Sequence, residues 1–239
     1  VLSERGLPLV KLSMNVPEVQ LWSAESPVLY TLNVASYDKK GKTEETSIRI
    51  GFRDVKIVGN QLHVNGKPIF IKGANRHEMN AYKGYIVSKE DMIQDILVMK
   101  KLNINCIRTS HYPNSPEFYD LCDEFGFYVW SEANIETHAF YRTLSRNPLF
   151  APAYTERVTQ LVERDKNHPS IIVWSLGNES GFGANHAAMA GYIRFRDSSR
   201  PINYEGAVYK YLYSTEPERN QFLSDIVGPM YPPVSMIRE

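Results

Sequence analysis

The chain is poor in the features that mark a disulfide scaffold, a nucleic-acid binder or a membrane protein. Its two cysteines, Cys106 and Cys122, are too few for a disulfide framework and lack metal-type spacing. Both are therefore expected to be reduced and structural. Neither sign of charge is in excess: 27 Lys and Arg face 27 Asp and Glu, and no long run of like charges occurs. That balance argues against nucleic acid and anionic membrane as partners. No apolar stretch approaches the roughly 18 residues of a membrane-spanning helix. An opening methionine and a signal-peptide pattern are also missing from Val1-Leu2-Ser3-Glu4-Arg5, so the chain is expected to be an internal fragment of a longer protein.

What is present is patterned. Leu29 to Tyr37 and Thr46 to Phe52 alternate in the manner of strands about the polar turn Asp38-Lys39-Lys40-Gly41-Lys42, which predicts an antiparallel pair. An immunoglobulin-type sandwich takes about seven strands in roughly 100 residues. Residues 1–57 are accordingly expected to be the C-terminal part of an immunoglobulin-like sandwich. Asn65-Gly66 inside Leu62 to Ile71 is a hairpin signal, since a type I′ turn needs positive φ twice.

From Ile69 onward short apolar strands alternate with amphipathic helices, the grammar of βα units on a parallel sheet. Ser88 with Asp91 predicts a capping box, followed by Met92, Ile96 and Met99 on one face. Ser115-Pro116 opens a second helix that Gly126 stops; a third runs from about Pro152 to Lys166 and a fourth from about Asn185 to Asp197. Strands are expected near Phe70, Ile107, Val129, Ile172, Ile202 and Ile226. Residues 58–239 thus read as the N-terminal part of a (β/α)₈ TIM barrel with about six units, in an α/β chain whose first part is all-β.

A barrel of this kind carries its chemistry at the C-terminal strand ends. Those ends are polar here: Asn75-Arg76-His77-Glu78, Arg108-Thr109-Ser110-His111-Tyr112, Glu132 through His138, Asn178-Glu179 and Tyr204-Glu205. Each element alone has a bland reading, Arg76 and Arg108 as structural ion pairs and His77 and His111 as loop histidines. Five successive strands delivering acids, amides and imidazoles to one rim favour a site. Glu179, at the end of Ile171-Ile172-Val173-Trp174-Ser175, is the candidate general acid, with Asn178 beside it able to bond a sugar hydroxyl. Glu136 and His138 are two apart and would point the same way in an extended segment; with Glu179 they form a donor set for a hard cation such as Mg²⁺. Tyr112 and Tyr204 are candidates for stacking on sugar faces.

At these blocks, together with Leu21 to Tyr30, Gly51-Phe52-Arg53, Ser110 to Asn114 and Trp174 to Gly181, the chain resembles the glycoside hydrolase family 2 β-galactosidases of the long bacterial type. The resemblance implies retaining hydrolysis of terminal β-galactosides through a covalent intermediate, with Glu179 as acid/base. It implies Mg²⁺ on Glu136, His138 and Glu179, with no organic cofactor, and transition-state support from His77 and His111. Asn178 would meet the 2-hydroxyl, and Glu205 would support the site. It further implies a nucleophilic Glu after the seventh strand, outside this chain, and a homo-oligomeric parent protein; the compartment stays open, with bacterial cytoplasm or periplasm as the expectation. Ser131 departs from the pattern, which has an Asp there. Two other readings compete: a non-catalytic carbohydrate-binding or assembly module, and a hydrolase whose catalysis depends on the metal itself.

Overall fold

The computed structural model describes residues 10, 12–207, 223–228 and 230–232. The expected first hairpin is β1 (Tyr30–Asp38) against β2 (Gly41–Ile50), with Tyr30 opposite Ile50. A second small sheet follows, in which β3 (Val55–Val58), β4 (Gln61–Val64) and β5 (Lys67–Pro68) pair antiparallel. Asn65 and Gly66 turn β4 into β5 with φ of 54° and 74°, the two positive values that the Asn-Gly pair is suited to. The expected boundary between residues 57 and 58 falls inside β3.

The main sheet is parallel, in the order β6 (Gly73–Arg76), β7 (Cys106–Thr109), β8 (Tyr128–Glu132), β9 (Ile171–Ser175), β10 (Ile202–Asn203). A bridge from Asn203 to Ile226 marks where a sixth strand would lie. The first barrel strand is not the apolar run around Phe70: that ring is 79% exposed, and pairing begins at Gly73, opposite Cys106. Asn75 and Arg76, read as the end of this strand, therefore lie within it, and His77 and Glu78 follow directly after it.

Helices α1 (Lys89–Lys101), α2 (Pro116–Phe125), α4 (Ala151–Asp165) and α5 (Ala184–Arg196) fall within a residue or two of expectation. Ser88 and Asp91 close the capping box on α1, and Gly126 ends α2 with φ 72°. A Cβ at Gly126 would lie 2.3 Å from the Ala24 carbonyl, so only glycine lets the N-terminal segment pass this close. A short α3 (Arg142–Arg146), with no apolar periodicity to announce it, interrupts the long connection from β8 to α4.

The core lies between sheet and helices, with Ile107, Val129, Ile171, Trp174, Phe118, Leu161 and Ile193 all buried. Trp22 ties the N-terminal region to this core, its indole N–H donating to the Asp123 carbonyl at 2.9 Å. At the N-terminal end of the sheet, Asp123 also accepts from Ser170 N and pairs with His168 Nδ1 at 2.6 Å. Arg53 and Arg200 cap the backbone carbonyls of 166–171 nearby. That end is closed by structural bonds, leaving the opposite rim for chemistry.

Candidate active site

The rim is organised around a carboxylate and a guanidinium. Glu132 ends β8 with its side chain fully buried, and Arg108 from β7 grips both of its oxygens, at 2.7 and 3.0 Å. His111 Nδ1 lies 2.8 Å from Glu132 Oε1, and the Ser175 hydroxyl donates to Oε2 at 2.8 Å. A buried carboxylate is tolerated only when its lone pairs are filled in this way. Arg108 reaches onward to Asn178 Oδ1 at 2.8 Å, while Asn178 Nδ2 donates to the Glu136 carboxylate. Both ends of the Asn178 amide are thereby clamped, which sets its orientation.

Backbone geometry then turns Glu179 outward. Asn178 N still follows the sheet, donating to Ile135 O at 2.8 Å, and Glu136 bridges Asn178. Gly177 makes this possible with φ 136°; a Cβ there would sit 2.5 Å from the Ile135 carbonyl. Glu179 itself has φ 39°, a conformation that costs of order 1–3 kcal/mol in a non-glycine residue. Its backbone N–H donates to Glu205 Oε1 at 2.6 Å. Burial, with the Glu132 charge adding, pushes the Glu205 carboxyl up to about 8, so it is neutral near pH 7.

Glu179, Glu205, His138, Tyr141, Gly181, Gly206 and Tyr231 line a cavity of about 450 Å³. His138 Nδ1 is 3.7 Å from Glu179 Oε2, a separation that one ion could bridge. The donor chemistry of Glu136, His138 and Glu179 suits a hard cation. Glu136, however, is engaged: one oxygen is bonded by Asn178, the other by His138 N at 3.0 Å. Among the described residues, the trio whose donor atoms already gather within 4.8 Å is Asp120, Asp123 and His168, at the opposite end of the sheet.

The remaining expected residues separate into two groups. His77 and His111 come together edge to face, centroids 5.4 Å apart, on the β6 and β7 side of the rim. Tyr112 lies beside His77, and its hydroxyl accepts from Glu78 N at 3.0 Å. Tyr204 corrects an expectation. It is fully buried, stacked on His186, with its hydroxyl donating to the Gly181 carbonyl, and offers no face to a sugar.

Tyr141 and Tyr231 have no place in the sequence reading, and Arg108 and Glu132 enter it only as rim polarity, with no site role assigned to either. Glu132 had a readable signal, an acid closing an apolar strand beside an Arg that closes its neighbour. Tyr231 had none, because it reaches the cavity from a segment without periodic pattern.

Residues 55–239 match the family described as "Glycosyl hydrolases family 2, TIM barrel domain", and residues 2–53 match "Glycosyl hydrolases family 2". A β-galactosidase of Pseudoalteromonas haloplanktis is 51% identical over 88% of this chain, and one of Alteromonas mediterranea is 47% identical over 92%. In each case the chain spans 20% of the relative's length. Among solved structures, the GH2 β-galacturonidase of Eisenbergiella tayi superposes with a TM-score of 0.72 at 30% identity, over 80% of this chain and 35% of that one. A β-glucuronidase of Ruminococcus gnavus gives 0.72 at 28% identity, over 78% and 33%. With the barrel match covering most of its length and a carboxylate-lined cavity at the rim that such barrels use, this chain belongs to glycosyl hydrolase family 2.

Proposed function

We propose that this chain supplies the acid/base half of the active site of a retaining β-galactosidase. The observation that carries the reading is Glu179. Its carboxyl lines the cavity, its backbone is pinned by Glu205, and half-buried Arg108, held by buried Glu132, orients the neighbouring amide of Asn178. In the first step Glu179 protonates the glycosidic oxygen as the bond to the anomeric carbon breaks. In the second it takes a proton from the water that releases the sugar.

Asn178 is proposed to meet the 2-hydroxyl, where hydrogen bonds strengthen as oxocarbenium character develops. His77 and His111 are proposed to steady the sugar hydroxyls. Glu136, His138 and Glu179 are proposed to hold Mg²⁺, which when bound would supply positive charge beside the proton donor.

A retaining enzyme also needs a carboxylate nucleophile about 5–5.5 Å from the acid/base. Glu205, the other carboxylate on the cavity among the described residues, is occupied by the Glu179 N–H, and burial raises its carboxyl, which suits support rather than attack. We therefore place the nucleophile outside the described residues. Residues 234–239, expected to contribute none, also lie outside them. Assembly of the full-length protein into a homo-oligomer is proposed with this reading and is measurable by light scattering.

The test has two parts. The 239-residue chain alone should give no turnover of aryl β-galactosides above control; turnover abolished by Glu179→Gln would place the nucleophile within the chain. In the full-length polypeptide, Glu179→Ala should slow galactosides with poor leaving groups by ~10²–10⁴-fold and activated aryl galactosides far less. Saturable galactose binding without hydrolysis by that full-length protein would instead support a non-catalytic module.

A further inference from the structure

His186, the third residue of α5, is fully buried, and neither of its ring nitrogens has a hydrogen-bond partner among the described residues. Polar groups left this way cost about 1–3 kcal/mol, so the ring needs another reason to be there. Its surroundings supply one. The imidazole lies flat on Tyr204, centroids 4.2 Å apart at 22°, and meets Tyr154 edge-on at 5.2 Å. Burial lowers its pKa to about 3, so the ring is neutral and packs on Tyr204 without needing a counter-ion.

Tyr204 in turn reaches the turn that carries Glu179. Its hydroxyl holds the Gly181 carbonyl, two residues beyond Glu179, and its own N–H donates to Ser224 Oγ at 2.9 Å. The next residue, Glu205, accepts the Glu179 N–H at 2.6 Å. The Tyr204-Glu205 pair thus pins the turn at two points, before and after a stretch in which Glu179 and Gly181 have φ of 39° and 62°. A strained turn of this kind persists only when its surroundings over-determine it.

We propose that His186 is a positioning residue for Glu179: its ring is the backing plate that keeps Tyr204 against Gly181, and so keeps the carboxyl aimed into the cavity. The catalytic part of this proposal rests on the reading of Glu179 as proton donor; the geometric part does not.

The experiment uses the full-length polypeptide with His186→Ala, which removes the plate, and His186→Phe, which keeps it without the nitrogens. Tyr204→Phe keeps the ring and removes the grip on Gly181. The first readout is amide hydrogen exchange at residues 179–181, expected to quicken by about tenfold or more in His186→Ala and Tyr204→Phe, but not in His186→Phe. The second is kcat and KM on galactosides with good and poor leaving groups. His186→Ala is expected to lose about tenfold or more in kcat on the poor leaving group, with KM within about twofold and little loss on the activated substrate.

Equal slowing on both substrates would mean that only the folded fraction had fallen, and would overturn the proposal. So would His186→Phe matching His186→Ala, or unchanged exchange at 179–181. If Glu179→Ala shows no leaving-group dependence while the exchange pattern holds, the proton-donor reading falls and the positioning of the turn stands.

Discussion

The buried imidazole makes a quantitative prediction about acid stability. In the unfolded chain His186 titrates near its ordinary 6.5; in the folded chain burial holds it down to about 3. Between those values the unfolded state binds a proton that the folded state refuses, so stability falls as pH falls from 6.5 toward 3; above 6.5 the ring adds no slope. Each pH unit in the window is worth about 1.4 kcal/mol, so near pH 5 the cost is about 2 kcal/mol. With an m-value of about 3 kcal/mol/M, the urea midpoint should drop by roughly 0.7 M between pH 7 and pH 5 on account of this group alone.

His186→Phe removes the titration while adding a packing change that does not depend on pH, so the comparison is of slopes. Glu205 contributes in the opposite sense: its carboxyl is raised to about 8, so stability is gained as pH falls from there toward 4.5. That contribution is common to both proteins and cancels. Urea unfolding at a series of pH values should show the His186→Phe midpoint falling less between pH 7 and pH 5 than the parent's. Parallel curves would refute the reasoning, since they would mean that the folded imidazole takes up its proton freely.

Three further outcomes are expected. Glu132→Gln leaves the Arg108 guanidinium beside a neutral amide and should cost about 3 kcal/mol by denaturant unfolding, whereas a change under about 0.5 kcal/mol would deny the pair its structural role. Gly177→Ala forces a Cβ to 2.5 Å from Ile135 O at φ 136°; it should destabilise by at least about 1–3 kcal/mol and slow hydrolysis by the full-length protein, and wild-type behaviour would count against a tight turn. Mg²⁺ binding, followed by calorimetry, should weaken about tenfold or more in His138→Asn and Glu136→Gln, and chelation should reduce rather than abolish hydrolysis. Complete loss on chelation would favour a metal-dependent mechanism.

The barrel was legible because each unit announces itself locally. Ser88 with Asp91, Pro116 with Gly126, and the apolar runs at Val129 and Ile172 each combine a period with a start or stop signal, and the structure follows them closely. The first strand departs from the sequence pattern because apolarity there does not coincide with pairing. Ile69-Phe70-Ile71 is the most apolar run near it, yet the ladder to β7 uses Gly73 to Arg76, whose burial is uneven and whose polar side chains serve the rim. Helix α3 leaves no mark on the sequence pattern because a five-residue helix has too few turns to show a period.

The site was legible residue by residue but not as a network, and Tyr204 shows why. Read along the chain, a tyrosine that follows a barrel strand and precedes a glutamate belongs to the rim, where an aromatic ring can stack on sugar. Whether it faces the cavity or the core depends on α5, which begins about twenty residues earlier and puts His186 on one side of the ring. The same logic covers Glu132, whose role lies in Arg108, His111 and Ser175 at once, each from a different loop or strand. A parallel barrel brings strand ends together across intervals of some 20–40 residues, so sequence reading finds which groups reach the rim. Which of them touch substrate and which hold the others in place is decided by packing beneath the rim, and in this chain that packing includes a buried histidine with no hydrogen bond among the described residues.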